Sequence, residues 1–378
     1  MTLNAHKKSM RRALVLARHG RGWSSPNPIV GAVVVKDGKI IGKGWHQRFG
    51  GPHAEIHALE DAGKNARGAA LYVTLEPCNH YGKTPPCVEA ILKAGLKAVF
   101  VGARDPDPQA SGGIEALRKK KVKVVVDVLE TPCRYANAPF FKFIRTGLPL
   151  VSAKWAMTAD GKIATARGDS KWITSSRARA FAHVLRGRHD AVLVGIGTVL
   201  TDAPLLTCRW GLERPVEKCW QPARVILDSQ ARTPLDAPLW TAEGGGRIIV
   251  IASSEAARDR LAALRERGAE VVELALAAGR LPVPDVLHVL AQRGVMSLLV
   301  EGGAEVLGSF VDARAVDRAY VFVAPKIVGG REGVTAVRGH GVERVSECQE
   351  LLVTRARRLG TDVLIQGRLG EWKWIRKA

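Results

Sequence analysis

No stretch of this sequence stays apolar for the length of a membrane-crossing helix, and no apolar core follows the basic N-terminal residues Met1 to Lys8 as it would in an export signal. A cytoplasmic location without a membrane partner is therefore expected. Cysteine is sparse. Six residues (Cys78, Cys87, Cys133, Cys208, Cys219 and Cys348) are scattered over 378 positions without the tight spacing of a disulfide framework, so the last four are expected as reduced thiols. Internal repeats and low-complexity segments are missing as well. So is any long basic run or arginine-rich arm, although the formal charge is +21. The basic residues are spread along the chain, with clusters at 177–188 and at Arg118-Lys119-Lys120-Lys121. A phosphorylated small substrate and a phosphorylated cofactor favour such a surface without requiring all of it, and no nucleic-acid partner is expected.

What is present is an ordinary globular balance, 46% hydrophobic and 25% charged, in a chain of comfortable length for two domains. Residues 7–18 carry Met10, Leu14 and Ala17 at helical spacing, and Ser24 to Pro28 breaks that helix. Ile29–Val35 and Lys39–Trp45 read as a hairpin around the Asp37-Gly38 turn. Further on, strands at 70–75, 98–103 and 122–128 alternate with helices at 53–62, 84–94 and 114–121, which predicts an α/β/α layer. Gly147-Leu148-Pro149 marks the exit from a first domain, 1–147. The second, 148–378, alternates again: strands at 150–155, 191–194, 224–227, 247–252, 270–274, 297–300, 319–324 and 362–366, with helices at 176–186, 255–267 and 284–292. That pattern predicts a largely parallel sheet with covering helices.

The chemistry gathers first at His53-Ala54-Glu55, Pro77-Cys78 and Cys87. One imidazole and two thiolates suit zinc, and three protein ligands leave the fourth position for water, whose pKa the ion lowers toward ~7. Glu55, two residues beyond His53, can carry that water's proton to a leaving amine. His-x-Glu followed by Pro-Cys-x-x-Cys is the pattern of zinc nucleobase deaminases. Here eight residues, Asn79 to Pro86, separate the cysteines instead of two, so a longer loop returns Cys87 to the site and offers Lys83 to it. His53 and Glu55 point about 200° apart in mid-helix, so both belong in the first turn. Other readings stay open: His53 and His57 paired on a metal, the two cysteines as ordinary buried thiols, or a structural zinc with His80 as fourth ligand. In the second half, Gly195-Ile196-Gly197-Thr198 and Glu301-Gly302-Gly303-Ala304 follow strands, as phosphate-approaching turns do. Leu200 stands where a third glycine would complete a dinucleotide fingerprint.

The ordered motifs resemble those of the bifunctional riboflavin-pathway enzymes, in which a diaminohydroxyphosphoribosylaminopyrimidine deaminase is fused to a 5-amino-6-(5-phosphoribosylamino)uracil reductase. They are Asn27-Pro28-x-Val30-Gly31-Ala32-Val33, His53-Ala54-Glu55 and Thr74 to Cys87 in the first half. In the second they are Asp160-Gly161-Lys162-Ile163-Ala164, Lys171-Trp172-Ile173-Thr174, Gly197 to Thr207, Val225-Ile226-Leu227-Asp228, Glu301-Gly302-Gly303 and Ala324-Pro325. The resemblance implies a cytidine-deaminase-like α/β/α domain followed by a dihydrofolate-reductase-like α/β domain. It implies one Zn2+ on His53, Cys78 and Cys87, with Glu55 moving protons and Asn27, Lys83 and Asp105 contacting substrate. It implies NADPH along Ala156, Trp172, Thr198, Asp202, Ser229 and Gly303, substrate at Ser170, Arg186, Leu206, Arg209 and Glu301, and Lys154 and Glu301 at the hydride-transfer step. Arg186 and Arg209 are of the type that forks onto a phosphate. The implied substrate is 2,5-diamino-6-(5-phosphoribosylamino)pyrimidin-4-one, and a homo-oligomer is expected because both domain types commonly associate. A zinc-dependent nucleic-acid base deaminase is the alternative, and a zinc-stabilised scaffold without activity a third. One segment departs from the family: Asp107 replaces the usual Asn, and the loop Ser111-Gly112-Gly113 is short. An extra carboxylate there is expected to weaken binding of a phosphorylated substrate.

Overall fold

The computed structural model describes residues 3–209 and 219–376. They form two units, Met1–Gly147 with Trp374–Ala378, and Leu148–Lys373. The expected second domain, 148–378, thus gives up its C-terminal end to the first unit. The reason is local: main-chain carbonyls past the last strand need donors, and two arginines supply them. Arg134 donates to Ile375 O at 2.8 Å, and Arg145 to Trp374 O and Arg376 O at 2.9 and 2.6 Å.

The first unit is a five-stranded sheet with helices on both faces. Its helices are α1 (Leu3–Ala17), α2 (Ala54–Ala62), α3 (Cys87–Lys93), α4 (Gly113–Lys119), α5 (Glu130–Ala136) and α6 (Ala138–Thr146). The strands β1 (Gly31–Lys36), β2 (Lys39–Trp45), β3 (Ala70–Leu75), β4 (Ala98–Ala103) and β5 (Lys123–Val125) lie in the order β2-β1-β3-β4-β5. β1 is antiparallel to both neighbours, while β3, β4 and β5 are parallel. Asp37 and Gly38 make the hairpin turn with φ of 50° and 77°, the left-handed pair a two-residue turn requires. Ala32, Val34, Leu71, Val73, Val99 and Val101 bury one face against Ala54, Ala58, Ile91, Ile114 and Leu117 of the helices. Helix α2 lies so close to β2 that a Cβ on Gly42 or Gly44 would stand 2.2 Å from the carbonyl of Ala58 or Ala54. This bare stretch of strand brings the N-terminus of α2, and with it His53 and Glu55, over the sheet. Two expected elements are shorter than predicted. The helix expected from 84 begins only at Cys87, after Pro85-Pro86, and β5 stops at Val125 ahead of the positive φ of Asp127 and Leu129.

The second unit contains β6 (Leu150–Thr158), β7 (Lys162–Ala164), α7 (Ser176–Arg186), β8 (Ala191–Gly195), α8 (Ile196–Asp202), β9 (Ala223–Leu227), β10 (Ile248–Ser253), α9 (Arg258–Glu266), β11 (Glu270–Leu274), α10 (Val283–Gln292), β12 (Ser297–Gly302), α11 (Ala304–Asp312), β13 (Arg318–Ala324), β14 (Val334–Thr335), β15 (Leu351–Leu359) and β16 (Asp362–Leu369). Nine strands run β11-β10-β9-β8-β12-β6-β13-β16-β15, and β7 pairs separately with β14. Pairing is parallel from β11 through β13 and antiparallel for the last two strands. Alternate residues serve opposite faces: Leu193, Val225 and Ile251 pack toward Val286, Leu290 and Phe310, while Val192, Val194, Ile226 and Val250 pack toward Leu261 and Leu264. Helix α7 covers Leu299, Tyr320, Phe322 and Leu364 with Ala178 and Leu185, and Ser175 caps its start by accepting from Ala178 N at 3.4 Å. Strand β15 was not expected from the sequence. It is an outer strand with a largely exposed face, so it lacks the apolar alternation that marks a half-buried strand. Among the described residues no helix is long and apolar enough to cross a membrane.

Candidate active sites

In the first unit, His53 is the extended residue capping α2, with φ −75° and ψ 166°, rather than a residue of the helix itself. That conformation removes the conflict of direction between His53 and Glu55, which sits in the first turn. The chain delivers Cys78 beyond the carboxyl end of β3 and Cys87 at the start of α3, so three elements converge. His53 Nδ1 lies 3.3 Å from Cys87 Sγ and 3.4 Å from Cys78 Sγ. All three ligand atoms fall within 4.8 Å of one another. Ligands at zinc distances on a tetrahedron stand about 3.6 Å apart for an N···S pair, so this donor set fits the ion in both chemistry and spacing. Among the described residues the group has three members; His80, the possible fourth ligand, is not one of them, and His57 instead faces Glu60 at 3.8 Å.

The two thiols act as a pair. A hydrogen bond from Cys87, and then one with His53, holds Cys78 well below the usual thiol range, while Cys78 and burial push Cys87 up. Glu55 is fully buried, and burial raises it to about 7, a value suited to taking and returning a proton near neutrality. The site opens into a cavity of about 220 Å³ lined by Asn27, Phe49, Lys83, Asp105 and Asp107, among others. Lys83 Nζ lies 4.1 Å from the Phe49 ring centre. Burial, with the carboxylates of Asp107 and Glu76 nearby, pushes Asp105 up to about 7.

In the second unit the polar residues gather along the carboxyl side of the parallel strands, where open α/β sheets bind ligands. Glu301 of β12 is held by Arg186 in a two-point fork, Nε to Oε1 at 2.7 Å and Nη2 to Oε2 at 2.8 Å. Lys154 Nζ of β6 stands 4.0 Å from Glu301 Oε2. Burial opposes Glu301's charge, but Arg186 and then Lys154 overcome it and hold the carboxyl at about 2. Burial lowers Lys154. Two residues beyond Glu301, Gly303 N donates to Thr198 Oγ1 at 3.0 Å, joining the two glycine turns. Ser170 Oγ reaches Asp202 Oδ1 at 3.4 Å. Trp172 is exposed, with the Arg179 guanidinium 4.3 Å above its ring. Ser229 stands just past β9, its carbonyl accepting from Ser253 N at 3.0 Å.

Residues 3–103 match the cytidine and deoxycytidylate deaminase zinc-binding region, and residues 149–365 match the RibD C-terminal domain. Riboflavin biosynthesis protein RibD of Bacillus amyloliquefaciens is 44% identical over 94% of each chain, and that of Aquifex aeolicus 43% over 95% of this chain and 97% of its own. The chain belongs to the RibD family. It is accordingly a bifunctional enzyme of riboflavin biosynthesis, with a zinc-binding deaminase region and an NADPH-dependent reductase domain. A solved RibD of Acinetobacter baumannii superposes with TM-score 0.88 at 34% identity, over 98% of this chain and all of the other. The diaminohydroxyphosphoribosylaminopyrimidine deaminase/5-amino-6-(5-phosphoribosylamino)uracil reductase of Thermotoga maritima superposes at 0.85 and 38% identity, over 97% and 99%.

Within this RibD-family chain, two of the expected site residues are engaged by the protein itself. Arg186 does not present an open fork to a phosphate: Glu301 occupies it, and Nη1 donates to Thr207 O at 3.2 Å. The side chain of Leu206 lies in the core, with φ +55°, so it does not face an open site. Asp107, the departing residue, lines the deaminase cavity; its Oδ1 accepts from Gln109 N and its own N–H donates to Asp105 Oδ1, both at 2.9 Å. Arg209 is exposed, at the border of the described residues. Sequence reasoning missed His46. Its Nδ1 lies 3.1 Å from the carbonyl of Pro52 and so must donate, leaving Nε2 to accept from Asn27 Nδ2 at 3.1 Å. Asn27 Oδ1 is thereby left as an acceptor for the cavity. A lone histidine after a strand carries no such signal in the sequence.

Proposed function

We propose that the first unit removes the 2-amino group of 2,5-diamino-6-(5-phosphoribosylamino)pyrimidin-4-one as ammonia, and that the second reduces the ribosyl chain of the product to ribityl phosphate. The observation that carries the first assignment is the convergence of His53, Cys78 and Cys87 beside a buried Glu55. Zinc held by these three residues supplies Lewis-acid activation of water. Glu55 then takes a proton from that water and returns it to the departing amino nitrogen, so that C–NH2 and H2O become C=O and NH3. Asn27 offers an acceptor, and Lys83 a cation for the phosphorylated sugar. Asp105, with its carboxyl near neutrality, either donates or accepts.

In the second unit NADPH supplies the hydride, and the protein orients the reactants. Thr198, Gly303, Asp202, Trp172, Ala156 and Ser229 are read as the cofactor's neighbours because they border the same carboxyl side of the sheet. Lys154, with its proton loosened by burial, is read as the donor of a proton to the sugar oxygen as the ring opens. Glu301, kept ionised by Arg186, holds Lys154 and receives substrate hydroxyls; Ser170, Leu206 and Arg209 complete the substrate side.

We also infer a homo-oligomer. Among the described residues strand β15 pairs on one side only and exposes Leu352 and Val353, an edge that natural proteins otherwise protect; sedimentation at several concentrations tests this. A cytoplasmic setting is supported by cysteines that form no disulfide among the described residues. Nucleic acid is not a partner in this reading, and salt-sensitive binding to RNA or DNA would contradict it. The deciding experiment follows ammonia from the zinc-loaded protein and the diaminopyrimidine ribotide, then NADPH oxidation once cofactor is added. Ammonia followed by stoichiometric oxidation supports both assignments. Oxidation without prior ammonia removes the order proposed.

A further inference from the structure

One ring beside the reductase site has no part in the roles above. His183 lies one turn before Arg186 on the same side of α7, and both reach the carbonyl of Thr207, from His183 Nδ1 at 3.0 Å and from Arg186 Nη1 at 3.2 Å. The same Nδ1 lies 3.3 Å from the main-chain N–H of Arg209. A single ring nitrogen serves only one of these partners in a given tautomer. Protonated at Nδ1, the ring donates to Thr207; protonated at Nε2, it accepts from Arg209. Burial, then Arg186 and Arg209, push His183 down to about 4, so the ring adds no further cation between two arginines. The rest of the strap is anchored separately. Leu206 is in the core, Cys208 Sγ donates to the carbonyl of His183 at 3.2 Å, and Gln221 clasps the N–H and carbonyl of Cys208, both at 2.9 Å. Arg209 meets α7 through the His183 ring.

We propose that His183 is a positioning residue of the reductase, tying the strap from Leu206 to Arg209 against α7 and thereby setting where Arg209 stands relative to the Arg186–Glu301 pair. The proposal rests on the reading of Arg209 as a substrate residue. Its test compares His183→Ala, His183→Asn and His183→Gln in steady-state NADPH oxidation with the deaminated ribotide, with ammonia release by the same preparations as the folding control. His183→Ala raises KM for the ribotide about tenfold, the scale of one lost hydrogen bond, with kcat and KM for NADPH unchanged. The amide of Asn reaches the place of Nδ1 and brings KM back to within about twofold. Gln, whose amide reaches toward Nε2, leaves it raised. Equal defects in the Ala and Asn variants, or a fall in kcat at constant KM, would overturn the proposal. An Arg209→Ala control separates the two levels: if it raises KM while His183→Ala does not, positioning by His183 fails alone; if it leaves KM unaltered, the substrate role of the strap fails with it.

Discussion

Replacing Glu301 by Gln removes one negative charge from between two buried cations. Glu301 is 5% exposed, with Arg186 at 15% and Lys154 at 18%, so solvent screens the triad weakly. Holding the carboxyl at about 2 rather than its ordinary value near 4.5 corresponds to about 3 kcal/mol. Breaking a buried ion pair from one side generally costs about 3–5 kcal/mol. Glu301→Gln is therefore expected to destabilise the second unit by about 3 kcal/mol. The amide keeps the shape but places an N–H against the guanidinium in place of one acceptor. The pH dependence has a definite sign. A carboxyl depressed in the folded state contributes its stability above its unfolded value, and that contribution fades as pH falls through about 4.5 toward 2. The difference between wild type and Glu301→Gln should thus stay constant from pH 5 to 8 and shrink below about 4.5. Hydrogen exchange of peptides from β12 under native conditions reads the opening free energy directly. A difference below about 1 kcal/mol at pH 7, or one that grows as pH falls, would refute the view that the triad is held by charge.

In the deaminase half, Glu55→Gln should abolish ammonia release by at least about a hundredfold while leaving zinc content and NADPH oxidation with the deaminated ribotide intact; elemental analysis and the two assays check this together. Removing zinc with a chelator should lower the melting temperature of the first unit as well as end ammonia release, because the three ligands come from separate elements that the ion ties together. Readdition of zinc should restore both. Asp107→Asn should lower KM for the diaminopyrimidine ribotide about two- to fivefold by removing a negative charge from the cavity wall. An unchanged KM would mean that the hydrogen bonds to Gln109 and Asp105 already turn the carboxylate away from the phosphate.

Much of this protein was legible in its sequence because the relevant signals are local. Hydrophobic alternation placed the inner strands of both sheets, since a strand covered on one or both faces must present apolar residues with period two or in a run. The Asp37-Gly38 pair located a hairpin for a backbone reason, positive φ at two successive positions. His53, Glu55, Cys78 and Cys87 announced zinc because ligand chemistry restricts residue type more tightly than packing does. Only the tertiary structure decided the rest. That His53 caps α2 instead of belonging to it is a matter of its extended backbone, and that the helix lies tight on β2 depends on the bare Gly42 and Gly44. That Arg186 grips Glu301 and not a phosphate depends on α7 and β12 meeting from 115 positions apart along the chain. The role of His46 arises from the Pro52 carbonyl, which selects the ring nitrogen that bears the proton, and that of His183 from Thr207 and Arg209 meeting at one ring nitrogen; a histidine's letter in a sequence is the same for either tautomer. Strand β15 pairs through its main chain while most of its side chains are exposed. Backbone hydrogen bonds form it, and they leave no mark in the order of residues.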